Sequence, residues 1–391
     1  MKEAQKKDIK GKKVLVRSDL NLPIEEGKPV KSLRLKKYAD SLKEISYKGA
    51  KTVVMAHQGR PGDKDFGSLK EHVPLLEQEL GRDIEFVNSF FGEELPRTLE
   101  KMREGDICLL ENVRFLSEEL RKGSVEMHSE DFFVKHISRH FDIFINDSFS
   151  VAHRPHGSMM GFMKNLKTFA GPLMSEEIKE CSKARDAVEN PVLILGGAKP
   201  SDLVKMLDSM VERAEKVLMG GIPGEIALKL NGKPIDKKYS WIKDRKLNKG
   251  EKELLDIMKE NQDKFVLPVD IRNDKGEVSV SKLDGTEMIW DIGPKTSEKY
   301  SEIIDGAESV IMKGPMGAYE EGYSQGSLEV LEAVKKCDGF TLLGGGHTST
   351  LLNQSNFSLK DFSHVSIAGG AFVRFMSGEE LPVIEAILKY S

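Results

Sequence analysis

The chain has 391 residues, 39% of them hydrophobic and 31% charged, with a formal net charge of −4. That length accommodates two or three domains with ordinary cores, and the balanced charge argues against nucleic acid or a membrane surface as a partner. No stretch approaches the roughly 20 apolar residues of a membrane span, and the opening segment, a solvated basic run over residues 2–13 mixed with Glu3 and Asp8, lacks the apolar core of a signal peptide. Cys108, Cys181 and Cys337 are widely spaced and read as free thiols in a reducing compartment, so a cytoplasmic location is expected.

In chain order, short apolar runs end in charged or glycine-rich turns. Residues 14–17 lead into Asp19-Leu20-Asn21, 52–56 into His57-Gln58-Gly59-Arg60-Pro61, 107–110 into Glu111-Asn112-Val113-Arg114, and 143–145 into Asn146-Asp147. The second half continues with 192–195 into Gly196-Gly197-Ala198-Lys199, 217–219 into Gly220-Gly221, and 310–312 into Lys313-Gly314-Pro315. The last two are 340–343 into Gly344-Gly345-Gly346-His347-Thr348 and 365–367 into Ala368-Gly369-Gly370. Between them, 69–80, 129–139, 202–215, 252–260 and 327–336 carry helical periodicity. Strands alternating with such helices indicate βαβ units and parallel sheets. So many strands favour two sheets over one, and the punctuation changes near Gly171-Pro172, ahead of an amphipathic stretch over 173–187 that reads as one long connecting helix. The expectation is α/β: two doubly wound, Rossmann-like parallel-sheet domains with an interdomain cleft. The first covers 1–170 plus the C-terminal segment 379–391, the helix 171–190, and the second domain 191–378.

In such sheets ligands sit beyond the carboxyl ends of the strands, where amides and helix N-termini converge. The first half offers Arg34, His57, Arg60, Arg114 and Arg154 near those ends, with Asp19 and Asn21 able to bind hydroxyls. Guanidinium groups suit phosphate and carboxylate, so the set describes a pocket for a small polyanion. The second half offers glycine instead. Gly344 to Gly346 reads as a turn opening a helix, with Thr348 as a candidate N-cap, and Lys199 adds a positive charge at another strand end. Neither G-x-x-x-x-G-K-[ST] nor a leading G-x-G-x-x-G is present, so the P-loop and the dinucleotide fingerprint are excluded.

Val16-Arg17-Ser18-Asp19-Leu20-Asn21-Leu22-Pro23, His57-Gln58-Gly59-Arg60-Pro61, Glu111-Asn112-Val113-Arg114-Phe115 and Asn146-Asp147-Ser148-Phe149 through His153-Arg154 resemble, in order, the substrate-domain motifs of the phosphoglycerate kinases. Leu195-Gly196-Gly197-Ala198-Lys199, Gly314-Pro315-Met316-Gly317, Gly344 to Thr348 and Gly378-Glu379-Glu380-Leu381-Pro382 resemble that family's nucleotide domain and C-terminal segment. The resemblance runs nearly end to end. It implies reversible phosphoryl transfer between 1,3-bisphosphoglycerate with ADP and 3-phosphoglycerate with ATP. Carried over by position, Asp19, Asn21, Arg34, His57, Gln58, Gly59, Arg60, Arg114 and Arg154 would hold phosphoglycerate. Lys199, Glu320, Gly345, Gly346, His347 and Thr348 would hold the nucleotide, with Glu320 on the ribose, and Arg34, Lys199 and Lys205 would serve the transfer. Mg²⁺ would accompany the nucleotide, with its protein ligands unassigned. The segment after about Glu379 would dock on the first domain.

Some departures fall on the chemistry. Better-known members carry Asp where this chain has His347, and a neutral imidazole is a poor ligand for a hard cation. The archaeal branch resembles this chain there and in the His57-Gln58-Gly59 spelling, so His347 reads as a mark of lineage whose ring binds neither metal nor substrate. Leu203 occupies the position of a second family lysine. Lys205, two residues on, lies off that helix face and is an imperfect substitute. Lys313 replaces Asn, and Ile367-Ala368 replaces Thr-Gly. Two functions follow, an active phosphoglycerate kinase and, as the alternative, a non-catalytic paralogue binding phosphorylated metabolites. A dehydrogenase is disfavoured by the missing glycine fingerprint. The choice between ATP and GTP stays open.

Overall fold

The computed structural model describes residues 2–353 and 355–391, apart from the side chains of His347, Ser349 and Asn353. Two compact units emerge: Met1–Lys179 with Glu380–Ser391, and Glu180–Glu379.

The first unit is built on strands β1 (Lys13–Arg17), β2 (Lys51–Met55), β3 (Glu85–Val87), β4 (Ile107–Leu110), β5 (Ile143–Asn146) and β6 (Lys167–Ala170). They form one parallel sheet in the order β3-β4-β2-β1-β5-β6. Val14, Leu15 and Val16 of the central strand are fully buried, as continuous apolar runs are when helices cover both faces. Helix α1 (Leu33–Tyr47) starts at Ser32, whose hydroxyl accepts from the Leu35 amide, and α2 (Val73–Leu80) stops on left-handed Gly81.

The expected connector is helix α3 (Pro172–Ser182) closed by a single π turn, Lys183–Ala187. The division between the units falls inside α3, not ahead of it, because its start is tied to the first sheet. The Gly171 amide donates to Asn146 O (2.9 Å) and the Met174 amide to Asp147 Oδ1 (3.0 Å).

In the second unit, β7 (Val192–Leu195), β8 (Lys216–Met219), β9 (Phe265–Val266), β13 (Ser309–Lys313), β14 (Phe340–Gly344) and β15 (His364–Ser366) form a parallel sheet ordered β9-β8-β7-β13-β14-β15. Its helices include α4 (Pro200–Met210), α5 (Gly221–Leu230), α6 (Asp236–Asp244) and α7 (Gly346–Asn353). Strands β10 (Asp270–Asn273), β11 (Gly276–Ser279) and β12 (Asp291–Ile292) make a separate antiparallel sheet. Ile271 of that sheet and Val280, which follows β11, share an apolar cluster with Leu228, Ile235, Leu283 and Ile289. The last helix, α8 (Pro382–Tyr390), belongs to the first unit. It buries Val383, Ile384, Ala386 and Ile387, and its Val383 amide donates to Ala152 O (3.2 Å).

All nine anticipated strands are present, and the additions are informative. The extra parallel strands β3, β6 and β9 sit at sheet edges and have two to four residues each, too few for alternation to show. The antiparallel sheet was not anticipated, because Asp270 and Asn273 break the apolar pattern of β10.

Candidate active site

At the carboxyl end of β1, β2 and β5 in the first unit, charged groups interlock. Arg17 is the last residue of β1 and only 2% exposed. Its Nε donates to Ser158 Oγ (2.8 Å), one terminal nitrogen donates to Ser18 O, and the other lies 3.0 Å from His57 Nδ1. Since the guanidinium can only donate, Nδ1 accepts and the His57 proton resides on Nε2. Burial pushes the His57 pKa well below the ordinary range, and the nearby Arg17, Arg114 and Arg154 push the same way against Asp19. His57 is therefore neutral.

Buried Asp19 pairs with Arg34 and accepts from the Ser150 hydroxyl and from the Asn21 amide (3.0 Å). Burial opposes its ionisation, yet Arg34 and these donors hold its pKa far below the usual carboxylate range. Arg114 donates to Gly59 O, while its Nε is buried with no partner among the described residues. Burial, then Arg17 and Arg154, lower its pKa to about 10, and the same two causes, with Arg154 foremost among the charges, take His156 down to about 3. Glu119, also buried, accepts from the Ser158 amide and hydroxyl (both 2.7 Å) and so fixes the serine that orients Arg17. Arg17, Arg114 and Arg154 thus lie close enough for each charge to act on the others and on His57, a concentration of positive charge that suits an anionic ligand.

The loop after β2 is rigid for identifiable reasons. Gly59 has φ +61, and a β-carbon there would strike the Asp65 and Phe66 backbone, so only glycine fits. Asn21 Oδ1 accepts the Gly59 amide (2.8 Å). The Gln58 amide group is fully engaged: Nε2 donates to Leu22 O and Asp65 O (both 3.1 Å), and Oε1 accepts from the Leu22 amide (2.9 Å) and faces His72 Nε2 (3.0 Å). Gln58 therefore braces the loop and keeps no donor for a ligand. Arg60 is exposed on the same loop, and its guanidinium has no hydrogen bond or ion pair among the described residues.

In the second unit the glycine turns bond to one another. The Gly196 amide donates to Lys313 O (2.8 Å), Gly197 to Pro315 O (2.7 Å), Gly221 to Met316 O (2.7 Å) and Ile222 to Gly197 O (2.9 Å). Helix α7 begins at Gly346, so Thr348 lies within the first turn and is not its N-cap. Its hydroxyl accepts the Gly314 amide and donates to Gly344 O (both 3.2 Å), joining two turns. The His347 side chain lies outside the described residues. Lys199 is exposed at the start of α4.

The cation that sequence reasoning treated only as a departure is Lys313. A β-carbon placed on Gly345 (φ +107) would lie 3.1 Å from the Lys313 ammonium nitrogen. Burial lowers the Lys313 pKa, Asp202 opposes the shift and Lys199 adds to it. The ammonium has no hydrogen bond or ion pair among the described residues. Lys205, by contrast, points away from Leu203, which is 4% exposed: its ammonium sits 2.6 Å from Glu379 Oε1. A slot lined by Gly197, Gly221, Trp241, Trp290 and Pro315 opens beside these turns, with exposed Glu320 on its rim.

The structure thus brings together Asp19, Asn21, Arg34, His57, Gly59, Arg114 and Arg154 in one unit, and Gly345, Gly346 and Thr348 with Lys313 in the other. Arg17, Glu119 and Ser158 were missed. Arg17 ends a buried strand, where an ionic residue without function is costly, and that signal was available.

The phosphoglycerate kinase family model matches residues 4–379. The chain is 38% identical to the Archaeoglobus fulgidus phosphoglycerate kinase over 97% of its own length and 95% of the relative's. It is 36% identical to that of Halorubrum lacusprofundi over 96% and 95%. The crystal structure of phosphoglycerate kinase from Pyrococcus horikoshii OT3 superposes with a TM-score of 0.91 at 32% identity, covering 97% of this chain and 96% of that one. With matches of this extent on both sequence and structure, the chain belongs to the phosphoglycerate kinase family.

Proposed function

We propose that the protein catalyses reversible phosphoryl transfer between 1,3-bisphosphoglycerate and ADP, giving 3-phosphoglycerate and ATP. The observation that supports this most is the cluster of Arg17, Arg34, Arg114 and Arg154 at one set of strand ends, in a chain matching the family along almost its whole length. Phosphoryl transfer asks the protein for positioning and for stabilisation of charge on the equatorial oxygens, with no side-chain nucleophile. Arg34, Arg60, Arg114 and Arg154 hold the phosphoglycerate anions, and Asn21 and neutral His57, donating from Nε2, bind its uncharged oxygens. Asp19 fixes Arg34, and Glu119 fixes Arg17 through Ser158. Domain boundaries follow the units, with phosphoglycerate on the first and nucleotide on the second.

There, the amides of Gly345 to Thr348 and the ammonium groups of Lys199 and Lys313 bind the nucleotide phosphates, and Glu320 binds the ribose. Lys313 supplies the charge that Leu203 withholds, so Lys205 is not needed. Mg²⁺ arrives on the nucleotide. Asp202, whose charge acts on Lys313, is the candidate carboxylate for an ion that would be held mainly by phosphates and water. Cys108 and Cys181 are buried and not joined in a disulfide, which fits a reducing, cytoplasmic setting, and no described helix is long and apolar enough to cross a membrane. A coupled assay supplying ADP and 1,3-bisphosphoglycerate tests the reading: ATP formation supports it, and its absence in folded protein refutes it.

A further inference from the structure

The slot beside the glycine turns contains a buried carboxyl group that phosphate binding does not use. Glu225 lies on α5 and lines the slot together with Trp241, Trp290, Gly221 and Ile222. Its Oε1 is 3.4 Å from the ammonium nitrogen of Lys238, itself 2% exposed. Lys238 is held in place from three further directions: it donates to Ile289 O, and its nitrogen lies 4.4 Å from the Trp241 ring centroid and 4.7 Å from that of Trp290. Trp290 in turn stacks on Tyr323 with centroids 5.7 Å apart. Glu225 Oε2, the other oxygen, is buried and has no hydrogen-bond partner among the described residues.

An unmet buried acceptor costs free energy, and native structures keep few of them. The flat, mainly apolar walls of the slot accept a planar aromatic group, and a free carboxylate oxygen at such a wall selects a ligand edge bearing N–H. Burial raises the Glu225 carboxyl to about 7 against the pull of Lys238, with Asp291 adding to the shift, as expected of an acceptor still awaiting its donor.

We propose that Glu225 reads the nucleotide base: its Oε2 accepts an N–H from the exocyclic amino group of a purine, so that Glu225, anchored by Lys238, is the residue that sets base preference. This rests on assigning the second unit to the nucleotide. Adenine and guanine share the amino group on different carbons, and two pairs of substrates separate them. ATP is compared with purine riboside triphosphate, and GTP with ITP, each pair differing only by that group.

The experiment measures kcat/KM for all four nucleotides with 3-phosphoglycerate, in wild type, Glu225→Met and Glu225→Ala, with thermal melts as a check on folding. Wild type is expected to favour the amino-bearing member of one pair by about tenfold or more, the scale of one hydrogen bond to a charged group. Glu225→Ala should flatten that ratio, with the amino-bearing nucleotide losing kcat/KM by about tenfold or more. Failure to discriminate in wild type, or discrimination undiminished in folded Glu225→Ala, overturns the inference and leaves the kinase reading standing. No turnover by wild type on any nucleotide overturns both. If Glu225→Ala proves unfolded, Glu225→Met, which fills the same space without an acceptor, decides alone: an unchanged ratio contradicts the proposal and a flattened ratio supports it.

Discussion

Arg114 combines a structural contact with a proposed part in recognition. One nitrogen is committed to Gly59 O, while Nε is buried and unmet among the described residues. Removing the guanidinium should weaken 3-phosphoglycerate binding by about 1.5–3 kcal/mol, the worth of a hydrogen bond to a charged group, as read by calorimetry. Unchanged affinity would assign Arg114 to the loop alone. The two lysines near α4 make a sharper contrast. Lys313→Met removes an ammonium beside Gly345 that has no hydrogen-bond or ion-pair partner among the described residues and should lower kcat by about 100-fold, the loss seen when one preorganised donor is deleted. Lys205→Ala only breaks an exposed pair with Glu379 and should cost less than tenfold. The reverse order would mean that Lys205 leaves Glu379 to reach the phosphates. The sequence made the charged groups of the first unit legible because each ends a strand in a quotable motif. Lys313 was visible only as a mismatch, since its meaning depends on Gly345, which is distant in sequence and adjacent in space. Gln58 went the other way: its polar amide looked available until its partners Leu22, Asp65 and His72 were in view.

At the scale of elements, strands with a continuous apolar run were readable, even the three-residue edge strand β15, whereas the edge strands β3, β6 and β9 were not, β9 having too few residues to establish a period. Helix α3 was readable as an amphipathic stretch, whereas its anchoring by Asp147 was hidden. That carboxyl is buried, accepts from Ser41 Oγ (2.5 Å) and from the Met174 amide, and is pushed up to about 7 from 3.8, mainly by burial. The folded state therefore keeps the Asp147 proton where the unfolded chain has lost it. Its contribution to stability is complete below about pH 4 and is lost as pH rises through 7. Asp147→Asn preserves the accepting oxygen for Met174 and cannot ionise. Its stability relative to wild type should be near zero difference at pH 4 and favour the variant by about 4 kcal/mol at pH 8, the gap between 3.8 and about 7 at about 1.4 kcal/mol per unit, measured by denaturant melts across that range. A difference that does not vary with pH would show that Asp147 is not the titrating group. Truncation before Pro382 should destabilise the first unit by several kcal/mol, because α8 buries Val383, Ile384 and Ile387 at about 1.5–3 kcal/mol each. The check is loss of amide protection in β6, on which α8 packs.

For the whole molecule, the account divides recognition between two units with separate sheets. In hydrogen exchange, 3-phosphoglycerate alone should protect peptides around 17–21, 57–60 and 112–114, and nucleotide alone those around 196–199, 313–321 and 344–348. Protection by either ligand in the other's set would break the division. The two-sheet α/β organisation was legible because the punctuated strands outnumber what one sheet holds comfortably, while the exact division within α3 depended on hydrogen bonds to Asn146 and Asp147 that no local pattern encodes. The most direct test of the central claim is the rate of ATP formation from ADP and 1,3-bisphosphoglycerate by purified protein. The account predicts turnover in the range of about 1–100 s⁻¹, reduced about 100-fold by Lys313→Met and little changed by Lys205→Ala. Folded protein that binds 3-phosphoglycerate and nucleotide yet forms no ATP would contradict it.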